Sequence, residues 1–295
     1  MRYNMDKGAL TAIDIKQTKY KFLYWSIFTI LLAGGLLICI FPVVWVFLTG
    51  FKDANEIYDL STGFFPKRID LGKISTVWNA MKFYKYYANT FILAAGNVIS
   101  TMVICGLAGY VLSKVKPMGH RIMFTILFTL TLMPGTGRTV PIYMTFKDFP
   151  YLHINMLESF WPMWLMAATE IFNIILFKNF FDGISTSLVE AAKIDGASDL
   201  KIFFRIMIPL STPIFWVVGL FTFNGSMGTF FWPYLLISSP DKTVLGVQIY
   251  RLKTSTFSID YQLLGLLFAM LPQVVIFALF QKRIMGGINI GGVKG

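Results

Sequence analysis

Polar side chains interrupt several long apolar runs of this 295-residue chain, and their chemistry is hydrogen bonding. Burying such groups against lipid is costly, so each is expected to face another helix or a cavity. Amides and a carboxylate can bind a solute through hydrogen bonds, and flat aromatic rings can stack against it. The structural alternative is a bond to a neighbouring helix, or a place in the interfacial aromatic belt. The candidates for a solute path are Asn89, Asn97, Glu170, Asn173, Asn224, Trp232 and Tyr234.

The sequence lacks a catalytic or metal-binding pattern. It contains no G-x-x-x-x-G-K-[ST] phosphate loop and no G-x-S-x-G elbow. His120 and His153 fall in separate connections between apolar runs, and neither Cys39 nor Cys105 lies near them, so no zinc-ligand spacing results. We therefore expect a non-catalytic chain without metal or cofactor. If ATP drives its function, ATP and magnesium must be bound by separate subunits.

The longest polar interruption of the second half reads EAAKIDGASDLKIFFRIMIPLSTP, from Glu190 to Pro213. Its apolar residues recur at helical spacing up to Gly196, which breaks the pattern. Ser198 or Asp199 can cap a second short helix. The spacing predicts two short helices joined at a glycine and lying at a membrane surface.

This stretch resembles the EAA loop of ABC importer permeases, and its Asp-Gly-Ala extension is similar to the carbohydrate-uptake, MalG-like branch. The resemblance implies that the loop docks in a cleft of an ATPase subunit and moves with it. Glu190 would make a polar contact there, and Gly196 would form the bend. The resemblance assigns this coupling role to Glu190, Ala191, Ala192, Asp195, Gly196, Ala197, Ile206 and Pro209, and it covers essentially the whole chain.

Composition places the chain among membrane proteins, because 56% of its residues are hydrophobic and only 14% are charged. Apolar runs long enough to cross a bilayer as helices recur along the whole length. We therefore predict an all-α, polytopic membrane protein with the type I ABC importer permease fold. The six predicted spans cover about 22–50, 87–113, 122–143, 157–181, 209–237 and 261–280.

The positions of Lys and Arg predict the orientation, since these residues accumulate on the cytoplasmic side. They cluster in the N-terminal tail, after the second and fourth spans, and in the C-terminal tail, whereas the loop 51–86 mixes both charge signs. We predict a cytoplasmic tail over 1–21, a permease domain over 22–281, a cytoplasmic coupling loop over about 183–208 and a cytoplasmic tail over 282–295.

Three local features refine this interpretation. The third span contains MPGTGRTVPIY, whose prolines and glycines predict either a broken span or a helix that ends at Met133. The glycines of the C-terminus favour an extended or flexible tail over a helix, and its closing Gly-x-Val-Lys-Gly resembles the end of MalG-like subunits. Met227-Gly228 stands where such permeases commonly have Trp-Asn, which indicates a different or wider passage.

The resemblance implies a bacterial inner-membrane subunit that works with a second related permease, a dimer of ABC ATPases and an extracellular solute-binding protein. An oligosaccharide would be the substrate, with complex saccharides such as alginate or pectin fragments as the nearest resemblance. No nucleic acid is expected, because topology accounts for the positive charge. The alternatives are an ABC permease for peptides or polyamines, or a membrane channel or enzyme.

Overall fold

The computed structural model describes residues 18–59, 61, 63–252 and 254–288, and it describes the backbone alone for residues 18–21 and 282–288. Within these ranges the chain is helical and forms no extended strand. An isolated antiparallel bridge joins Phe149 and Ile154. The predicted all-α fold is confirmed. The predicted N-terminal tail up to residue 17, and residues 289–295 of the predicted C-terminal tail, lie outside the described residues.

The first half of the chain contains two long helical stretches and several short helices. Its helices are α1 (Thr18–Gly50), α2 (Ala54–Tyr58), α3 (Gly72–Ala80), α4 (Phe83–Ser100), α5 (Gly106–Tyr110), α6 (His120–Thr131) and α7 (Thr139–Lys147). Two π-helical turns, Thr101–Cys105 and Val111–Val115, continue the stretch that begins with α4, and the 3₁₀ turn Gly135–Arg138 precedes α7.

The second half contains α8 (Trp161–Ala168), α9 (Ile171–Asp182), α10 (Thr186–Ile194), α11 (Asp199–Ile202), α12 (Ile208–Leu210), α13 (Thr212–Met227), α14 (Phe231–Leu236), α15 (Leu245–Leu252) and α16 (Ile259–Ile288). A π-helical turn, Phe203–Met207, joins α11 to α12.

Among the described residues, four helical stretches are long and apolar enough to cross a membrane: Phe22–Gly50, Phe83–Val115, Trp161–Asp182 and Ile259–Gln281. A fifth span arises if Asp199–Leu210 and Thr212–Met227, which meet at a bend of 86°, form one crossing. The predicted third span corresponds to α6, a 3₁₀ turn and α7, and neither helix alone has the length of a span. The count of six spans stays a prediction.

The end of α16 corrects the expectation of an extended or flexible C-terminal tail for the described residues up to Ile288. The helix continues through Gly286 and Gly287 and ends at Ile288. Glycine costs about 1 kcal/mol relative to alanine inside a helix. An established helix gains one hydrogen bond for each residue it adds, so a long helix such as α16 can extend across two glycines.

One compact unit comprises the described residues up to Ile74 together with Ser258–Leu267. Its polar centre is a buried ion pair, because Lys73 Nζ lies 2.7 Å from Asp260 Oδ2 and both side chains are almost fully buried. Lys73 also donates to the carbonyl of Lys52 (2.7 Å), and Lys52 Nζ donates to the carbonyl of Gly63 (2.6 Å). Two lysines of the loop 51–86 are thus structural, which explains why that loop blurs the charge asymmetry.

The second unit comprises Ser75–Phe257 and the chain from Phe268 onward. Helix α5 crosses α9 closely at Gly109, where a Cβ atom would lie 2.6 Å from Phe177 Cβ and 2.9 Å from the backbone nitrogen of Lys178. The main cluster beside this crossing is built around buried Tyr110, Phe177, Phe181, Ile202, Phe203, Met207 and Val218. A smaller cluster contains Leu93, Met163, Leu236, Ile237, Val244 and Val247.

Candidate functional site

The coupling loop contains two short helices joined at Gly196, as its spacing predicts. Helix α10 ends in a Schellman motif, in which Ala197 N–H donates to Ala192 O (2.9 Å) and Gly196 N–H donates to Lys193 O (3.0 Å). Gly196 has φ +76°, a conformation that L-residues with side chains rarely adopt. A Cβ atom there would meet nothing within 4 Å, so backbone conformation and not space requires the glycine.

Side chains fix the second helix, α11, to the first. Ser198 is its N-cap and accepts from Lys201 N–H at 3.4 Å. Asp199 Oδ1 lies 3.0 Å from Lys193 Nζ, and the hydroxyl of buried Tyr110 donates to the same oxygen at 3.4 Å. The loop is therefore joined to the helical stretch that ends at Val115.

The coupling loop has a buried inner face and an exposed outer face. Val189, Ala192, Ile202 and Phe203 are buried in the main cluster of the second unit. Ala192 therefore packs within this chain, and Ile206 is packed against the same cluster. Glu190, Ala191, Asp195 and Gly196 are exposed, Ala197 is half-buried, and Pro209 lies exposed just before the 86° bend. The outer face also presents the apolar side chains of Leu188, Ile194, Leu200 and Phe204.

A polar cluster ties the start of the coupling loop to the ends of two spans. Asp182 Oδ1 accepts from Ser113 Oγ (2.6 Å), and Asp182 Oδ2 lies 2.6 Å from Lys178 Nζ. Lys114 Nζ donates to the carbonyl of Ile184. Ser185 then caps α10 by accepting from Ser187 N–H. The loop thus begins from a fixed base.

A second candidate region surrounds the break between α8 and α9. Glu170 lies in this break with extended backbone, φ −68° and ψ 107°. Such a break frees backbone carbonyls from the helix, and at membrane depth they need other partners. Thr101 Oγ1 donates to Ala167 O (3.0 Å), and Cys105 Sγ donates to Ala168 O (3.2 Å). The break is therefore stabilised by the neighbouring helical stretch.

Four of the seven predicted path residues line one cavity of about 290 Å³: Asn97, Glu170, Asn173 and Trp232. Asn97 Nδ2 donates to Ser226 Oγ at 2.8 Å, which leaves Asn97 Oδ1 without a partner among the described residues. Glu170 and Trp232 also line an adjoining cavity of about 490 Å³ together with Arg138. The 3₁₀ turn Gly135–Arg138 and the start of α7 border this second cavity, as expected for a broken helix at membrane depth.

The other three predicted path residues lie elsewhere. Asn89 Nδ2 donates to the carbonyls of Asp241 and Thr243, both at 2.8 Å, so it ties α4 to the segment before α15. Asn224 lines a different groove, of about 390 Å³, with Gln273. Tyr234 packs against the ring of Phe230 at 5.1 Å. The chemical types of these residues agree with a solute path, but the structure does not place them in the cavity of Glu170.

Glu158 joins two connecting segments that lie outside the helical stretches long enough to cross a membrane. Its carboxylate accepts from the N–H groups of Ser239 (2.9 Å) and Ser238 (2.9 and 3.1 Å). Lys242 Nζ donates to the carbonyl of Glu158 at 2.7 Å. The N–H groups of Ser239 and Ser238 hold the pKa of Glu158 below its ordinary value. We call this contact the Glu158 clasp.

Sequence reasoning missed several of these residues. Ile194 is 87% exposed although it continues the helical apolar pattern, and Leu200 and Phe204 share its exposure. No local signal separates such residues from buried ones. Arg138 was also missed, although it lies in the segment MPGTGRTVPIY. A basic residue among prolines and glycines at membrane depth could have indicated that it lines a cavity. The part of the chain that the structure describes contains no cluster of three or more metal-ligating side chains.

Known proteins are similar to this chain in sequence and in fold. The chain matches the family described as binding-protein-dependent transport system inner membrane component over residues 103–288, which is more than half of its length. It is 26% identical over 289 residues to the galactooligosaccharides transport system permease protein of Bacillus subtilis (strain 168), covering 96% of this chain and 99% of that protein. It is 28% identical to the polygalacturonan/rhamnogalacturonan transport system permease protein of the same organism, covering 91% and 99%.

Among solved structures, the chain is similar to one of a bacterial ABC transporter involved in the import of the acidic polysaccharide alginate. The TM-score is 0.77 at 24% sequence identity, covering 90% of this chain and 98% of that chain. This likeness shows that the two chains share a fold. The family match, the apolar helices and this fold agree, and the chain belongs to the family of binding-protein-dependent transport system inner membrane components.

Proposed function

We propose that the chain is one of two permease subunits of an ATP-driven, binding-protein-dependent importer of oligosaccharides. The observation that carries this proposal is the coupling loop, whose buried inner face and exposed apolar outer face suit docking to another subunit. The family supports transport, and both relatives described above are named for saccharides. Family membership also speaks against an unrelated channel or enzyme.

The proposed mechanism uses the stiffness of the coupling loop. A partner ATPase dimer binds ATP and magnesium, and its closure moves the docked loop. Because the loop is bonded to Tyr110 and begins from the fixed base at Asp182, its displacement is passed to the spans that carry these residues. The second permease moves likewise, and the pair alternates between outward-facing and inward-facing states. A solute-binding protein delivers the saccharide from outside.

The proposed path runs beside Glu170. The carboxylate of Glu170 and the amides of Asn97 and Asn173 can accept hydrogen bonds from saccharide hydroxyl groups, and Trp232 offers an aromatic face. The adjoining cavity adds the guanidinium of Arg138. A path that carries both charge signs suits a hydroxylated solute better than an apolar one. Peptides or polyamines are the alternative solutes; the carboxylate of Glu170 could attract a cationic polyamine, whereas the guanidinium of Arg138 in the adjoining cavity would repel it.

The proposed location is the bacterial cytoplasmic membrane, with both termini and the coupling loop on the cytoplasmic side. The positions of Lys and Arg support this orientation. The coupling loop must lie where ATP is available, which requires the same orientation. The proposal needs no nucleic acid partner.

The test is co-purification of the chain with its partner permease and ATPase subunits. Wild type should form a stable complex whose ATPase activity rises with a sugar-loaded binding protein. Gly196→Asp should lose the ATPase subunits or their stimulation. Gly196→Asn is the matched control, because asparagine has the size of aspartate and tolerates positive φ equally well but adds no charge, so it should retain more of the stimulation.

Two results would overturn the proposal. One is a folded wild-type chain that binds no ATPase subunit. The other is a complex that binding proteins loaded with peptides or polyamines stimulate, while a panel of neutral and acidic oligosaccharides has no effect. The first result would show that the loop does not couple the chain to an ATPase. The second would leave the importer role in place and replace the oligosaccharide by another solute.

A further inference from the structure

A basic cavity lies at the ends of three apolar helical stretches. Its volume is about 570 Å³. It is lined by the end of the stretch that starts with α4, by the first turns of α6 and by the last turn of α9. Since two candidate spans end here, at Val115 and Asp182, the cavity lies at the depth of a membrane surface.

The charge of this lining is unbalanced. Its cationic side chains are Lys116, Arg121 and Lys178, with His120 beside them, and its acid is Asp182. Asp182 already accepts from Ser113 and pairs with Lys178 at 2.6 Å. Lys116 and Arg121 are exposed and have no ion-pair partner among the described residues. Two cationic groups are thus left for an anion.

The N-terminus of α6 adds to this excess of positive charge. Helix α6 starts after Gly119, which offers no side-chain cap, and its first turn contains no acid. Bases at a helix N-terminus oppose the helix dipole, which favours negative charge there. The placement of Arg121 in the first turn is therefore unfavourable for the helix alone, and a bound anion would reverse that effect.

Apolar surface next to the bases identifies the kind of anion. Phe124 lines the cavity, and its ring lies 4.7 Å from Lys178 Nζ. Met118 is fully exposed and Ile122 is 67% exposed. A free inorganic ion would use the bases but not this surface. An amphiphile with a phosphate group and hydrocarbon chains would use both.

We propose that this cavity binds the phosphate group of an anionic phospholipid, held by Lys116 and Arg121 with its chains beside Phe124 and Ile122. Basic pockets between helix ends at a membrane surface bind such headgroups in general. The site is separate from the solute path and does not depend on which solute moves. Because Asp182 precedes the coupling loop, the lipid would also stabilise the base from which that loop starts.

The test uses the assembled transporter, purified in neutral detergent. Binding of phosphatidylglycerol is measured by native mass spectrometry and by the shift in thermal unfolding. Phosphatidylcholine and inorganic phosphate are the comparison probes.

The double variant Lys116→Asn, Arg121→Gln removes two bases, and asparagine suits the positive φ of 49° at Lys116. Lys67→Asn, Arg68→Gln is the matched control with the same loss of charge, because both of these residues are exposed.

Wild type and the control should retain phosphatidylglycerol, whereas the Lys116, Arg121 variant should bind it about 25-fold more weakly. Equal lipid binding by all three proteins would overturn the proposal. So would stabilisation by inorganic phosphate equal to that by phosphatidylglycerol, which would indicate a soluble anion. Loss of an ATPase subunit with unchanged lipid binding would instead indicate an acidic protein surface as the occupant.

Discussion

The coupling loop and the cavity beside Glu170 are built in opposite ways. In the coupling loop, the carbonyls that end α10 are paired in the Schellman motif, and Val189 and Ile202 are buried against the main cluster. In the cavity region, Asn97 Oδ1 and Thr222 Oγ1 have no partner among the described residues. The carboxylate of Glu170 likewise makes no hydrogen bond or ion pair to a described residue, although its backbone groups are bonded.

This difference matches the two tasks in the proposed transporter. A docking element must move as one piece, so its inner contacts are satisfied and only its outer face is open. A solute path must bind and release, so its polar groups keep hydrogen-bonding capacity for a ligand or for water. Substitutions in the coupling loop or in its buried contacts should therefore impair stability and coupling. Substitutions in the cavity beside Glu170 should impair solute movement alone.

The largest effect is expected for Gly109→Ala, at the crossing of α5 and α9 beneath the coupling loop. The new methyl group would lie 2.6 Å from Phe177 Cβ and 2.9 Å from Lys178 N, and backbone atoms cannot move aside easily. Overpacking of this kind costs about 3 kcal/mol when the neighbours cannot yield. Thermal unfolding in detergent measures it. Gly34→Ala is the control, because a Cβ there meets nothing within 4 Å. Equal stability of both variants would show that the crossing is looser than the structure indicates.

The second effect concerns the outer face of the coupling loop. Ile194→Ser removes a side chain that is 87% exposed in this chain and that would be buried on docking. Full burial of such a side chain contributes about 2 kcal/mol, so affinity for the ATPase subunits should fall about 30-fold. Unfolding of the isolated chain should be unchanged. Leu152→Ser, also exposed but remote in sequence from the coupling loop, is the control. Unaltered ATPase affinity would mean that this face does not dock.

The third effect should appear in the cavity beside Glu170. Glu170→Ala removes the carboxylate that borders both cavities, and saccharide transport should fall about tenfold, as expected for lost hydrogen bonds to a charged group. ATPase binding should be retained, because the coupling loop is untouched. Asn224→Ala is the control, since Asn224 lines another groove. Similar transport losses for both variants would indicate general damage and not a path.

These two regions also differ in how far the sequence predicts them. The coupling loop depends on local chemistry: a glycine where φ is positive, and a serine that caps the next helix. Such rules act within a few residues, so the two short helices and the bend were predictable. Their exposed face was not, because Ile194 and buried Val189 are equally apolar and only packing separates them.

The cavity depends on packing between distant segments. Asn89 and Asn97 belong to the same helix, yet the first bonds carbonyls before α15 and the second borders the cavity. Thr222 and Asn224 are two residues apart on α13, which places them on roughly opposite faces of a helix. Residue type and hydropathy predicted the helices and the apolar spans, but they carry no information about which face meets which neighbour.

The smallest effect is expected at the Glu158 clasp, away from both regions. The pKa of Glu158 is lowered in the folded protein by the N–H groups of Ser239 and Ser238. A lowered folded pKa means that the stabilisation is complete above the ordinary value near 4.5 and is lost as the pH falls through the lower folded value. Hydrogen-exchange protection of the Ser238 and Ser239 amides should therefore decrease in acid. Glu158→Gln should show reduced protection at neutral pH and little further change in acid.

Because the clasp joins connecting segments only, ATPase affinity should be unaffected in this variant, and a loss of affinity would show that the outer segments and the coupling loop are linked.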